Sequence, residues 1–292
     1  MSDPVGIVGL GLMGSVLARR LIAAGLDVVG FDPEAEKNDN LVALGGRAGG
    51  SIEDVARGAN PIVLAVFDTD QVEAVVEGPI LAALGENSGK IVMCTSTCDP
   101  DRIAALAGRV ASRGLRFLET PVSGTSGQVR RGEGVGLIGG DPAVAAEISG
   151  VLDAVFPVRF HVGGPGDGGR AKLAVNLILG LNRVALAEGL VFATRLGLDP
   201  DAFLRIARGS AAYSQVMDTK GAKMAASDFA AEGRARQTLK DVNLMLEQAG
   251  RCGQNLPLLE VHRDILAACV AAGEGDLDNS VVINEIRRRW AK

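Results

Sequence analysis

A chain of 292 residues that is 47% apolar, with a net charge of −5 dispersed along its length, has room for two domains with separate cores and is too apolar for general disorder. It has no basic face for nucleic acid, since the one basic cluster, Arg287-Arg288-Arg289, ends a predicted helix where cations suit the dipole. Cys94, Cys98, Cys252 and Cys269 form no C-x-x-C pair and His161 and His262 lie far apart, which argues against a metal; with no apolar run read as membrane-spanning and no leader before the first strand, a cytoplasmic protein with free thiols is expected.

The first element is a short apolar strand, Val5-Gly6-Ile7-Val8, running into Gly9-Leu10-Gly11-Leu12-Met13-Gly14 and then into a helix from Ser15. In such a G-x-G-x-x-G turn Gly9 permits the bend, Gly11 lets backbone approach a pyrophosphate, Gly14 allows close packing of helix on strand, and the phosphates face the helix N-terminus. The second strand, Val28 to Phe31, ends at Asp32, where an acidic residue binds the adenosine ribose. Its carboxylate repels a 2′-phosphate, and Pro33-Glu34-Ala35-Glu36 offers no arginine to hold one. NAD is therefore expected, with NADP as second choice through Lys37 or Arg47.

Further strand-like runs follow at Ile62 to Phe67, Lys90 to Cys94, Arg116 to Leu118, Gly136 to Ile138 and Val158 to Val162, with helical stretches between. This alternation predicts a parallel, doubly wound sheet over residues 1–163. Composition changes across Gly163 to Gly169, and residues 164–292 read as all-helical: Ala171 to Leu196, Pro200 to Arg208 behind an Asp199 cap, Ala235 to Ala249, Pro257 to Ala272 and Ser280 to Trp290.

The first of these helices, about 40 Å long at 1.5 Å per residue, is apolar around its whole circumference. It predicts burial on all sides, with a second copy of the chain as cover, in a homodimer or homotetramer. Near its start stands Lys172, one turn before Asn176, so both side chains share a face. The positive end of the helix dipole favours loss of the lysine proton, as a general acid/base requires. Position alone leaves Lys172 open as an acid/base or as an ordinary helix-start lysine.

Four segments in order resemble the β-hydroxyacid dehydrogenase family, which includes 3-hydroxyisobutyrate dehydrogenases and tartronate semialdehyde reductases. They are Gly9 to Gly14; Pro121-Val122-Ser123-Gly124 with the later Gly139-Gly140; Gly166 to Asn176; and Lys240-Asp241-Val242-Asn243-Leu244. The resemblance spans nearly the whole chain. It implies an α/β fold with an N-terminal Rossmann-type doubly wound sheet, a long interdomain helix and an all-α C-terminal domain for substrate and oligomerisation. It also implies NAD-dependent interconversion of a β-hydroxy acid and its semialdehyde or keto form. Lys172 would be the catalytic acid/base and Asn176 its orienting partner. Ser123, Gly124 and Thr125 would hold the substrate carboxylate, and Lys240 would lie by nicotinamide and substrate. Leu10, Leu12, Met13, Val66, Phe67, Gln71, Ser96 and Thr97 would join the glycines and Asp32 along the cofactor.

This chain departs from the family pattern at several of these places. Thr125 replaces the second glycine of Ser-Gly-Gly, Val175 replaces the first of two asparagines, Cys94 stands where an acidic residue usually precedes the Ser-Thr loop, and Val66-Phe67 replaces Leu-Pro. The changes at Thr125 and Val175 alter the substrate pocket and leave the chemistry. Two other readings share the glycine motif: an imine or iminium reductase on the same scaffold, which generally has another residue at the lysine position, and a non-catalytic nucleotide-binding regulator, which has no need of Lys172, Asn176, Ser123 and Lys240 together. Lys240 paired with Asp241 is discounted as a mere surface pair, because neighbours on a helix point different ways.

Overall fold

The structure is a computed structural model that describes residues 3–289. Contacts group the residues up to Lys172 into one compact unit and those from Leu173 into a second. The first unit is built on β1 (Val5–Val8), β2 (Val28–Phe31), β3 (Arg47–Ala48), β4 (Ile62–Leu64), β5 (Ile91–Cys94), β6 (Arg116–Glu119), β7 (Val122–Ser123), β8 (Val135–Gly139) and β9 (Val158–Gly163). Their order is β3-β2-β1-β4-β5-β6-β8-β7, with β9 beside β8. Because β1 lies between β2 and β4, the chain reverses its direction of winding there, and the crevice at the carboxyl ends of these strands is where such sheets bind ligands.

The strands are apolar on both sides because both sides are covered. Ile7, Val63 and Ile91 enter a core that also holds Leu17, Leu21, Leu118 and Phe156. Their chain neighbours Val8, Ile62, Leu64 and Val92 enter the opposite core with Ile103 and Leu106. Alternation along each strand thus feeds two cores, each large side chain contributing about 1.5–3 kcal/mol by leaving water.

The expected all-parallel sheet is mixed. Six strands are parallel, but β8 runs antiparallel to β6 and β7, then parallel to β9. A parallel return needs a long crossover, and the chain from β6 to β8 spends its length on β7 and the short helix Ser126–Arg131. β3 and β7, two residues each, are too short to show alternation and were not expected. The strand anticipated to Phe67 stops at Leu64, where the chain turns towards Asp68, the cap of the helix Thr69–Val75.

The long helix runs Asp167–Arg195. Asp167 begins it, its carboxylate accepting from Gly164 N at 2.9 Å and pairing with Arg170 at 2.8 Å. In length and composition this helix is apolar enough to cross a membrane, which corrects the sequence reading that no run is. In the second unit its Leu173, Val184, Leu186, Ala187 and Leu190 enter a core with Met245, Leu259, Ile265 and Ile283. Burial is one-sided, however: Ile178 and Phe192 remain about two-thirds exposed, at 64% and 66%. The expectation of burial all round therefore fails within the chain itself.

The other helices of this unit are Pro200–Arg208, as expected, Ala235–Cys252, Pro257–Ala271 and Val282–Arg288, the last entered through a 3-10 turn at Asn279–Val281. Trp290, expected in the final helix, lies outside the described residues. A π-turn at Met217–Gly221 and a short helix Ala222–Ala226 escaped the sequence reading. They bring in Lys220, which is buried and pairs with the fully buried Asp278 at 2.8 Å. Arg183 and His262 are buried in the same unit, and burial, reinforced by Arg183, pushes the His262 imidazole down to about 3.

Candidate active site

The glycine turn has the geometry its sequence predicts. Gly9 has φ +91°, and a side chain on it would meet Ala65 O at 2.6 Å. Gly14 lies directly beneath this bend, where an added Cβ would stand 1.9 Å from Gly9 O. Beside Gly11 there is open space. Gly11 is also the N-cap of the helix Leu12–Ala23 and gives it no side-chain bond, so the first-turn N–H groups are left for an anion. These features fit the pyrophosphate of a dinucleotide.

Asp32 leaves the end of β2 nearly buried. Its carboxylate accepts from Leu10 N at 2.8 Å and Glu34 N at 3.0 Å, with Lys37 Nζ at 3.4 Å. Asn38, unnoticed in the sequence, clamps its backbone: Asn38 Oδ1 accepts from Asp32 N at 2.9 Å and Asn38 Nδ2 donates to Asp32 O at 2.6 Å. The carboxylate is thereby fixed beside the Leu10 backbone of the glycine turn. Lys37 also pairs with Glu34 at 2.7 Å, so this basic group is already held by two acids.

Two loops continue along the carboxyl edge of the sheet. Gln71 Oε1 accepts from Phe67 N at 2.9 Å, fixing the Val66-Phe67 turn. Ser96 Oγ donates to Val66 O at 2.7 Å and Thr95 Oγ1 to Leu64 O at 2.8 Å, joining the Ser-Thr loop to the same turn. The structure thus brings Val66, Phe67, Gln71, Ser96 and their neighbour Thr97 together, with Gln71 holding its own turn and Ser96 tying the two loops.

In the Ser123-Gly124-Thr125 turn, Gly124 has φ +140°, a conformation L side chains rarely adopt. Thr125 caps the helix Ser126–Arg131 in a capping box. Its Oγ1 accepts from Gln128 N at 3.1 Å, and its own N–H donates to Gln128 Oε1 at 2.9 Å. The Thr125 N–H expected for a substrate carboxylate is therefore already engaged by Gln128.

Lys172 is 6% exposed, unusual burial for a lysine. The approach to its helix rests on Glu119, the last residue of β6, which is fully buried and was missed in the sequence although an acid ending an apolar strand was a visible signal. Glu119 Oε2 accepts from Gly166 N at 3.0 Å. Burial raises the Glu119 carboxyl to about 7, against the opposing pull of the N–H groups of Gly169, Gly166 and Gly168 and the charge of Arg170. Opposite Glu119 on β5 is Cys94, whose thiol is raised by its hydrogen bond with Cys98 and by burial.

In the second unit, Asn176 Nδ2 donates to Asp241 Oδ2 at 3.3 Å, and Lys240 Nζ lies 3.0 Å from Asp241 Oδ1. Asp241 thus gathers both predicted polar residues. The pairing corrects the argument that adjacent Lys and Asp cannot meet: the flexible lysine stem reaches round the helix to its neighbour.

Comparison with known proteins identifies the family and the fold. Residues 4–163 match the family model for the NAD binding domain of 6-phosphogluconate dehydrogenase, and residues 166–286 that for the NAD-binding region of NADP-dependent 3-hydroxyisobutyrate dehydrogenase. The chain is 31% identical over 284 residues to 2-hydroxy-3-oxopropionate reductase of Escherichia coli (strain K12), covering 97% of this chain and 96% of that protein. The fold superposes with a TM-score of 0.89 on the crystal structure of 3-hydroxyisobutyrate dehydrogenase from Salmonella typhimurium, at 28% identity over 97% of this chain and 99% of the other. A Mycobacterium tuberculosis 3-hydroxyisobutyrate dehydrogenase solved with L-serine gives 0.85 at 26% identity, over 98% and 100% of the two chains.

Proposed function

The chain belongs to the β-hydroxyacid dehydrogenase family, and from that premise we propose that Lys172 is the general acid/base of an NAD-preferring oxidoreductase acting on a β-hydroxy acid. It is an NAD(P)-dependent enzyme of CH–OH groups, interconverting a hydroxy acid and its semialdehyde or keto form. The observation that carries the assignment of Lys172 is its burial near the start of a helix whose approach is held by a second buried ionisable group, Glu119. The bound nicotinamide supplies the hydride chemistry, and the chain supplies orientation and the proton.

In oxidation Lys172 Nζ accepts the alcohol proton as the carbinol carbon is oxidised, and in reduction it returns a proton to the nascent alkoxide. The Ser123 hydroxyl and the Gly124 backbone bind the substrate carboxylate. Asn176 and Lys240, both tied to Asp241, orient the substrate and add positive charge. Residues 1–163 serve as the cofactor domain and 164–292 as the domain for substrate and oligomerisation. Steady-state kinetics across 3-hydroxy acids, glycerate, threonate, erythronate and hydroxy-sulfonates tests the reading: saturable NAD reduction by one of them is expected, with Ser123→Ala raising KM more than it lowers kcat. A protein that binds NAD and oxidises none of them would overturn it.

Cofactor choice rests on Asp32. Its carboxylate, locked by the Leu10 and Glu34 N–H groups, is set to accept from ribose hydroxyls and to repel a 2′-phosphate. Kinetics with both cofactors should show a preference for NAD, and Asp32→Ala should raise KM for NAD more than for NADP. Equal use of NADP by the unaltered protein would refute this.

The exposed apolar residues Ile178 and Phe192 on the long helix, with Leu258 and Val261 exposed on the helix Pro257–Ala271, support assembly into a homodimer or homotetramer. Light scattering at micromolar concentration should report at least a dimer; a monomer would contradict the proposal.

A further inference from the structure

We propose that Glu119 is a positioning residue for proton transfer: its buried carboxyl, seated against Gly166, Gly168 and Gly169, fixes the first turn of the helix from which Lys172 projects. The inference rests on the reading of Lys172 as acid/base. Glu119 Oε2 accepts from Gly166 N at 3.0 Å, immediately before the helix Asp167–Arg195 begins. The backbone around the carboxyl is cut to its shape. A Cβ on Gly139 or on Gly168 would lie 2.9 Å from Glu119 Oε2, and one on Gly169 would lie 2.8 Å from Oε1. Glycines from β8 and from the first helical turn together make room for these two oxygens, so a side chain at any of the three positions displaces the carboxyl or the turn.

The geometry links this cradle to the lysine. Gly168 and Gly169 precede Lys172 by four and three residues, so the helix face that rests on Glu119 is the face that carries Lys172 one turn later. Helical side chains lean towards the N-terminus, which brings the lysine stem back over that turn. A carboxylate here meets N–H groups that the helix itself cannot satisfy.

Packing alone does not account for an acid at this place, because a buried ionisable group is costly where an apolar side chain of similar volume would fill the space. Oε1 is sealed from solvent beside Gly169. Glu119 therefore acts on the substrate only through the helix.

The charged and titratable groups around it are few. The helix contributes Arg170, held by Asp167 and by Asp101, and beyond it Lys172; β5 contributes Cys94, bonded in turn to Cys98. Burial lifts the carboxyl to about 7, so the cradle gains charge and tightens as pH rises through that region. The stability sign is opposite. With its folded value above the ordinary 4.5, the group binds more protons folded than unfolded between 4.5 and about 7, and its contribution to stability falls as pH rises through that window.

Full-length Glu119→Gln and Glu119→Asp, compared with the unaltered protein on its best substrate, test the proposal. Glu119→Gln should lower kcat by about 10-fold or more, as a small misplacement of a catalytic group does, with NAD affinity unchanged. It should also lose the step near pH 7 in the rate profile, whereas Glu119→Asp should retain a step and recover part of kcat. Unchanged kcat and pH profile in Glu119→Gln would overturn the proposal, as would an equal fall in kcat and NAD affinity, the mark of a general structural role. If Glu119→Gln fails to fold, Glu119→Asp decides: a displaced pH step upholds the proposal and an unmoved one overturns it. An inactive Lys172→Ala protein beside a Glu119→Gln protein that behaves as the unaltered one removes the Glu119 inference alone, while an active Lys172→Ala protein removes the reading beneath it.

Discussion

Replacement of Lys172 by alanine is expected to lower kcat by at least about 10²-fold, the range lost with general acid/base help, while leaving NAD affinity nearly unaltered. The two effects separate because the turn from Gly9 to Gly14 follows β1 and the locked carboxylate of Asp32 ends β2, whereas the approach to the long helix rests on Glu119 of β6, three strands along the sheet from β1. Arginine should not restore activity, since a guanidinium stays protonated and cannot accept the alcohol proton. Lys240→Ala should instead act chiefly on KM, because its proposed work is to hold charge near the substrate. Steady-state kinetics on folded, NAD-binding variants check all three, and a Lys172→Ala enzyme with near-normal kcat would return that residue to the role of an ordinary buried lysine.

Asp278→Ala is expected to destabilise the protein by about 3–5 kcal/mol, the usual result of breaking a buried ion pair from one side. Asp278 accepts from Lys220 Nζ at 2.9 and 2.8 Å, from Ser280 Oγ at 2.8 Å and from the N–H groups of Glu232 and Ser280 at 2.9 and 3.1 Å. Its loss leaves the Lys220 ammonium, itself 2% exposed, with the longer pair to Glu232 at 3.6 Å, and frees donors from three segments at once. Urea denaturation should show the midpoint fall, and an unchanged midpoint would contradict this account. The same region should weaken in acid. Burial pushes the Asp278 carboxyl up, but Lys220 and the surrounding N–H donors outweigh it and leave the carboxyl below its usual 3.8, so its stabilisation is lost as pH falls through that region. His262, lowered from 6.5 to about 3, must charge on unfolding, so its contribution is lost as pH falls below 6.5.

The parts of the fold that were legible are those whose causes are local. The bend at Gly9, the packing at Gly14 and the acid at Asp32 follow from spacing alone, and Pro200–Arg208 was bounded correctly because Asp199 accepts from Ala202 N and a proline occupies the first turn. What escaped depends on partners distant in sequence. Lys220 meets Asp278 across 58 residues and Glu119 meets Gly166 across 47, and no periodicity announces either pairing. The antiparallel return of β8 was hidden for the same reason, since strand direction depends on how the connection is spent. Thr125 shows a subtler limit. Its substitution for glycine was visible, but its capture by Gln128 required recognising a Thr-x-x-Gln capping box at the start of a six-residue helix.

That Lys172 takes the proton as a β-hydroxy acid gives up its hydride is tested most directly by single-turnover reduction of NAD with substrate deuterated at the carbinol carbon. The unaltered protein should show β-hydroxy-acid-dependent reduction slowed by deuterium, and Lys172→Ala, loaded with NAD to the same extent, should lose that reaction by at least about 10²-fold. Equal single-turnover rates in the two proteins would contradict the account.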